Sequence, residues 1–177
     1  MNCYVLTGGR SLRMGKSKTS LFLDRVVAAA APLFDEVVAV ERAGAAPIAG
    51  LRTIHERAHL HEAAIFGVAR SLEDARGDAF LLAVDYPLVT PELLELLRDE
   101  RRVPVWNGQP QPLCAVWTEA ARARVEEAIA AGRFDLRGVC EQEMIGEASL
   151  RSRFRGEPLM NVNTPEELEE AERSYGR

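Results

Sequence analysis

Cys3-Tyr4-Val5-Leu6-Thr7-Gly8-Gly9-Arg10-Ser11-Leu12-Arg13-Met14-Gly15-Lys16-Ser17-Lys18 sets a short apolar run directly before a glycine-rich basic stretch. Cys3 to Leu6 has the pattern of a buried strand. Gly8 to Lys18 then holds three glycines, four cations and no carboxylate. Glycines let backbone N–H groups approach phosphate oxygens closely, and the cations neutralise a polyphosphate. Of 22 basic residues in the chain only Lys16 and Lys18 are lysines, and both fall here. Where arginine serves as the general cation, a retained lysine marks a place that needs a compact three-donor ammonium rather than a planar fork. The stretch is not a P-loop, since Gly15-Lys16-Ser17 lacks the matching upstream glycine, and it does not fit G-x-G-x-x-G. A strand running into a phosphate-holding loop predicts an α/β fold; the plainer alternative is an exposed basic turn.

The rest of the chain supports the first reading. Glu36 to Val40, Leu51 to Ile54 and Ala79 to Val84 read as further strands, with Val103 to Trp106 and Leu113 to Trp117 flanking the turn-rich Asn107 to Pro112. Between them, Arg25 to Ala31 and Ala63 to Leu72 have helical composition. Thr90-Pro91 opens a helix whose apolar face is Leu93, Leu94, Leu96 and Leu97. Glu119 to Ala131 is a helix stopped by Gly132, and Thr164-Pro165-Glu166-Glu167 is a capping box for a last one that Gly176 ends. This alternation predicts an open three-layer α/β sheet, mainly parallel but mixed, with its site beyond the strand carboxyl ends.

A chain of 177 residues is the size of one domain with a real core, and residues 1–177 are read as such. The net charge of −5 argues against general nucleic-acid or anionic-membrane binding, so the basic stretch is a local feature. Cys3, Cys114 and Cys140 are widely spaced and lack a CxxC pairing, which suits reduced thiols and a cytoplasmic location. No signal-peptide pattern or membrane-length apolar run is evident. Asp85, directly after the strongest strand, sits where a carboxylate can hold Mg²⁺ bridged to nucleotide phosphates; the alternative is a turn-initiating Asp before Pro87.

Leu6 to Lys18 resembles the signature loop of the molybdenum cofactor guanylyltransferases (MobA), roughly L-x-G-G-x-S-x-R-M-G-x-x-K, on Gly8, Gly9, Ser11, Arg13, Met14, Gly15 and Lys18. Asp85-Tyr86-Pro87, Pro112 to Trp117 and Asn161-Val162-Asn163-Thr164-Pro165-Glu166-Glu167-Leu168 agree with the family in order. The resemblance implies a Mg²⁺-dependent transfer of GMP from GTP to the terminal phosphate of molybdopterin, with release of pyrophosphate. It implies Arg13, Lys18 and Asp85 as catalytic residues, with Asp85 also on the metal. Leu6, Gly8, Gly9, Arg13, Lys18, Gly67 and Asp85 would contact the nucleotide, and Asn161 and Asn163 the acceptor side. Transient contacts with molybdenum cofactor enzymes or chaperones follow as further expectations. Gly8-Gly9 is the guanylyl-type form of the loop, and a relative using CTP or another phosphorylated acceptor, or a non-catalytic nucleotide binder, is the alternative.

The chain departs from the family in three places. Leu21-Phe22-Leu23 runs almost directly into Arg25 without a Gly-Lys-Pro-Leu turn, and Ser17 replaces a usually acidic residue. The Gly-Pro-Leu-Ala-Gly that packs on guanine aligns with Ala63-Ala64-Ile65-Phe66-Gly67, keeping only Gly67. A weaker preference for GTP than the family norm is therefore expected. His55-Glu56-Arg57-Ala58-His59 also matches the zinc-protease pattern H-E-x-x-H, which requires one helix face to carry both histidines. Its place between a strand and a later helix argues for a solvated loop instead.

Overall fold

A computed structural model describes residues 1–7 and 16–175, with the side chains of 16–21 and 174–175 outside that description. Chain order is β1 (Cys3–Leu6), α1 (Lys16–Ala30), β2 (Val37–Glu41), β3 (Arg52–His55), α2 (Ala64–Ala75), β4 (Ala79–Ala83), α3 (Pro91–Glu100) and β5 (Val103–Trp106). There follow β6 (Gln109–Pro110), β7 (Cys114–Trp117), α4 (Ala121–Ala130), β8 (Met144–Ile145), α5 (Glu147–Arg153) and α6 (Pro165–Tyr175). The main sheet runs β3-β2-β1-β4-β7, and β6-β5-β8 form a small second sheet. β1 pairs in parallel with β2 and β4, and β2 with β3, while β7 joins β4 antiparallel. The expected mainly parallel, mixed sheet is therefore the one present.

Three layers follow from the period of two along each strand. Cys3, Val5, Phe80 and Leu82 face a core completed by Leu23 and Val26 of α1 and Leu93, Leu94 and Leu97 of α3. Tyr4, Leu6, Ala79 and Leu81 face the opposite core, with Ile65, Val68 and Leu72 of α2 and Val125 of α4. Leu96, placed on the apolar face of α3 from sequence, packs only at that core's margin.

Local signals explain the element ends. The Thr90 hydroxyl accepts from the Leu93 N–H, and Pro91 occupies the first helical turn, where its missing donor costs nothing. The Glu167 N–H donates to the Thr164 hydroxyl at 3.1 Å, and the Glu167 carboxylate accepts from the Asn163 N–H at 2.7 Å, so the capping box of α6 forms with its return bond one residue early. Asn107 and Gly108 both have positive φ, the two-residue turn that joins β5 to β6.

Two expectations need correction. The basic stretch does not stay a loop through Lys18: α1 begins at Lys16 and continues through Leu21 and Phe22 to Ala30. Without the Gly-Lys-Pro-Leu turn, nothing between Lys16 and Ala30 breaks the helix. The sequence reading also missed β8 and α5, which are only two and seven residues long and too short to show a period. Gly176 lies outside the described residues. No helix among the described residues is long and apolar enough to cross a membrane.

The amino edge of the sheet is held by a polar network. The Tyr4 hydroxyl donates to Asp74 at 2.9 Å, the Arg52 fork donates to the same carboxylate at 3.1 and 2.9 Å, and Arg52 Nε donates to Glu36 at 2.9 Å. Burial alone would raise the Asp74 pKa, but the bonds from Arg52 and Tyr4 outweigh it and hold the carboxyl below its usual range. Asp74→Ala leaves the phenol and the guanidinium without their acceptor and is expected to cost about 1–3 kcal/mol in urea denaturation. Because the folded pKa is lowered, this contribution is present above the unfolded pKa and disappears as pH falls through the folded one. The network lies at the opposite edge from the site, so nucleotide affinity should not change.

Candidate active site

Four parallel strands end together, and each delivers a polar residue to the carboxyl edge. Thr7 follows β1, Glu41 ends β2, Glu56 follows β3, and Asp85 lies two residues beyond β4. Thr7 is buried; its hydroxyl lies 2.8 Å from the Val40 carbonyl and 2.6 Å from a Glu41 carboxylate oxygen, and its single proton can serve only one of them at a time. The Glu56 N–H donates to the Glu41 carbonyl at 2.8 Å, which carries the β2–β3 ladder one residue past β3.

Glu56 is the most perturbed carboxyl of this group. Burial, reinforced by the neighbouring Glu41 charge and opposed by Arg42, pushes it up to about 7. Gly67 makes room for it. A Cβ there would lie 2.9 Å from Leu6 Cδ2 and 3.0 Å from Glu56 Oε1, so any larger residue would push the tips of both side chains aside. Leu6 and Gly67, both expected at the nucleotide, thus meet at the same point of the edge. A polar cavity of about 220 Å³ adjoins it, lined by Arg42, Glu56, His61 and Ala63 among others.

Asp85 and Asn161, 76 positions apart in sequence, are in contact: the Asn161 amide donates to Asp85 Oδ2 at 2.6 Å, and the Val162 N–H donates to the Asp85 carbonyl at 2.9 Å. Asp85 Oδ1 is buried and accepts no hydrogen bond among the described residues. Burial raises the Asp85 pKa, against the downward pull of the Asn161 amide. A buried carboxylate oxygen with no donor is costly unless something positive meets it. The hard oxygen of Asp85 therefore fits a divalent cation such as Mg²⁺. Among the described residues no three His, Cys, Asp or Glu side chains cluster as a metal cage, and Mg²⁺ commonly needs only one or two carboxylates beside water and substrate phosphates.

Asn163 is held two residues on from Asn161 by its backbone bond to Glu167. Val162 between them packs with Phe22 of α1 and Leu168 of α6, so this small apolar cluster sets α1 beside the Asp85 loop. Lys18 lies in the first turn of α1, one helical turn before Phe22, and its side chain is outside the described residues. Gly8, Gly9 and Arg13 fall wholly outside them.

The zinc-protease alternative fails on geometry. His55 ends β3 and α2 begins only at Ala64, so Glu56 to His59 occupy no helix. The His55 ring nitrogen meets the Ala45 carbonyl at 3.0 Å, His59 stacks on Phe66 at 3.7 Å, and His61 packs against Phe134 at 5.0 Å. The sequence reading missed Thr7, Glu41 and Glu56 as edge residues. The signal that singled out Asp85, a polar residue directly after an apolar run, was present for Thr7 and Glu41 but not for Glu56, which follows His55 at the end of an alternating strand.

A mainly parallel sheet with carboxylates at its carboxyl edge, whose first strand leads in sequence into a glycine-rich basic stretch, is the arrangement of a nucleotide-binding α/β enzyme. Residues 3–147 match the MobA-like NTP transferase domain, and the chain belongs to that family of nucleotidyltransferases. A probable molybdenum cofactor guanylyltransferase of Mycobacterium avium is 31% identical over 186 residues, covering 93% of this chain and 91% of the relative. One from Natranaerobius thermophilus is 23% identical over 199 residues, covering 100% and 97%. The crystal structure of molybdopterin-guanine dinucleotide biosynthesis protein A from Archaeoglobus fulgidus has a TM-score of 0.75 at 25% identity, over 98% of both chains.

Proposed function

We propose that this protein transfers GMP from GTP to the terminal phosphate of molybdopterin, releasing pyrophosphate, with Mg²⁺ at Asp85. The observation that carries this reading is the Asp85–Asn161 pair at the carboxyl edge, with its bare carboxylate oxygen. Bound there, Mg²⁺ supplies positive charge to the substrate phosphates. Gly8 and Gly9 offer backbone donors to the triphosphate, and Arg13 and Lys18 stabilise charge on the transferring and leaving groups. Asn161 orients the Asp85 carboxylate, and Asn163 faces the acceptor side. The acceptor phosphate is already an ionised nucleophile, so no general base is required. A cytoplasmic location and transient contacts with molybdenum cofactor enzymes or chaperones accompany this reading.

Pyrophosphate release measured with GTP, CTP and ATP, each with and without molybdopterin, tests it. Release that needs both GTP and molybdopterin is expected; turnover with CTP alone, or none with any nucleotide, overturns it.

Base choice falls to Glu56 in this reading. An ionised carboxylate is acceptor-only and matches the adjacent N1–H and N2–H₂ donors of guanine, whereas adenine and cytosine present a mixed donor–acceptor edge. Ala63 and Ala64 replace the family's Gly-Pro, so the expected preference for GTP over CTP is about ten- to hundredfold rather than several thousandfold. With a carboxyl titrating at about 7, the GTP/CTP affinity ratio should rise about tenfold between pH 6 and 8 as Glu56 ionises. The triphosphate titration cancels in that ratio. Glu56→Gln should flatten it in calorimetric titrations. The same variant should be more stable than wild type above pH 7. A raised carboxyl pKa gives stability that is present below the unfolded value and lost as pH climbs through the folded one. An unchanged GTP/CTP ratio in Glu56→Gln removes Glu56 from the base.

A further inference from the structure

The strap between β3 and α2 is pinned on both sides of one leucine. The His59 ring stacks on Phe66 with centroids 3.7 Å apart, and the His61 ring packs on Phe134 at 5.0 Å. Leu60 lies between these two anchors and is fully exposed. Met144 is the other large apolar side chain left exposed among the described residues. A leucine held outward between two anchored neighbours is a preformed apolar knob, and ordering it against a partner costs little further entropy.

Beside the strap, α2 and α4 leave a groove. Phe66 and Ala69 are three apart on α2, and Ile129 and Ala130 follow Glu126 by three and four on α4, so each helix gives one face to a cavity of about 250 Å³. Its floor is apolar, and it has room for a leucine side chain. His59 lines the same cavity, so the knob and the hole adjoin in one patch. Leu60 is fully exposed and therefore does not fill the groove of its own chain. The strap also lines the polar cavity beside Glu56, so whatever seats Leu60 holds a loop that starts at the carboxyl edge.

The charges around the groove select the occupant. Arg57 and Arg70 on its wall are balanced by Glu73 and Glu126. Arg57 donates to Glu73 at 2.6 Å, and Glu126 accepts from Arg122 at 2.9 Å on the other helix. A partner of one charge sign would meet like charges on half of this rim, whereas a second copy presents both signs and can match them. Knob, hole and both signs in one patch make it self-complementary, and a two-fold axis satisfies each element twice. Because knob and hole adjoin, the contact closes on two copies rather than growing into an open chain. We propose that two copies of this chain pair about a two-fold axis, each seating its Leu60 in the α2–α4 groove of the other. One leucine and one groove per copy make a small interface, so the dimer is a weak one.

Sedimentation equilibrium of the full chain between about 5 and 500 µM reads the association directly. Wild type should pass from monomer to dimer within that range. Leu60→Glu removes the knob and Ala130→Trp fills the groove, and each should weaken dimerisation at least tenfold. Both positions are exposed, so the unfolding midpoints of the two variants should match wild type. An equimolar mixture of the two variants identifies the contact. A mixed pair keeps one intact Leu60, from the tryptophan variant, opposite one open groove, on the glutamate variant. The mixture should therefore associate more strongly than either variant alone. A wild type that stays monomeric throughout the range, wild-type dimerisation by Leu60→Glu, assembly beyond the dimer, or a mixture no more associated than its components overturns the proposal.

Discussion

Asp85→Asn is expected to lower Mg²⁺-dependent pyrophosphate release by roughly 10²–10³-fold, the usual loss when a preorganised charge is removed, while making the ligand-free protein more stable. The two effects share one cause. Asp85 Oδ1 is buried without a donor among the described residues, and burial raises the carboxyl's pKa. The charge is therefore costly in the empty fold and useful only when a cation meets it. Asparagine keeps the shape and an oxygen for the Asn161 amide but carries no charge. A gain of about 1 kcal/mol is expected in thermal or urea unfolding at pH 7. The sign follows from the raised pKa: the wild-type fold loses stability as pH rises through the folded value, and the asparagine variant has no such loss. Mg²⁺ with GTP should raise the melting temperature of wild type far more than that of the variant. A variant that is destabilised, yet keeps the wild-type response to Mg²⁺ and GTP, would show that Asp85 is a structural turn residue.

Lys18→Ala should reduce turnover by a similar 10²–10³-fold with circular dichroism and unfolding midpoint close to wild type. The argument joins composition to helix register. Lysine is confined to positions 16 and 18 in a chain that otherwise uses arginine. α1 begins at Lys16, so Lys18 precedes Phe22 by one turn, and residues four apart share a helix face. Phe22 packs on Val162, whose N–H is bonded to the Asp85 carbonyl, so the first turns of α1 are held beside the Asp85 loop. The family resemblance puts the role on Lys18 alone, and Lys16→Ala should change turnover by less than about tenfold. Lys18→Arg should rescue poorly, because a planar fork cannot replace a compact ammonium at the same point. If Lys16→Ala is the inactive variant and Lys18→Ala is not, the roles of the two lysines are reversed.

The sequence alone determined the layers of this protein. Cys3–Leu6 and Ala79–Ala83 are continuous apolar runs because strands between two helical layers are buried on both faces, a demand that leaves a plain mark in one dimension. Thr90-Pro91 and Thr164 to Glu167 were legible for the same reason: a cap satisfies donors within a few residues of itself. Asp85 was also legible as a residue of the carboxyl edge, through its place directly after such a run.

What the tertiary structure decided is what those residues meet. The contact of Asp85 with Asn161 joins positions 76 apart, and the approach of Gly67 to Leu6 and Glu56 joins three separate elements. No local pattern encodes either. Glu56 shows the difference most clearly. In sequence it is the glutamate of an H-E-x-x-H pattern, and only the parallel alignment of β1, β2 and β3 sets it beside Glu41, where burial and a like charge lift its pKa to about 7. The helix that now carries Lys18 belongs to the same class, since its start depends on the absence of a breaker and on Phe22 finding Val162 and Leu168. Periodicity and capping are short-range and survive in the sequence; desolvation, charge proximity and shape arise between segments that only folding brings together.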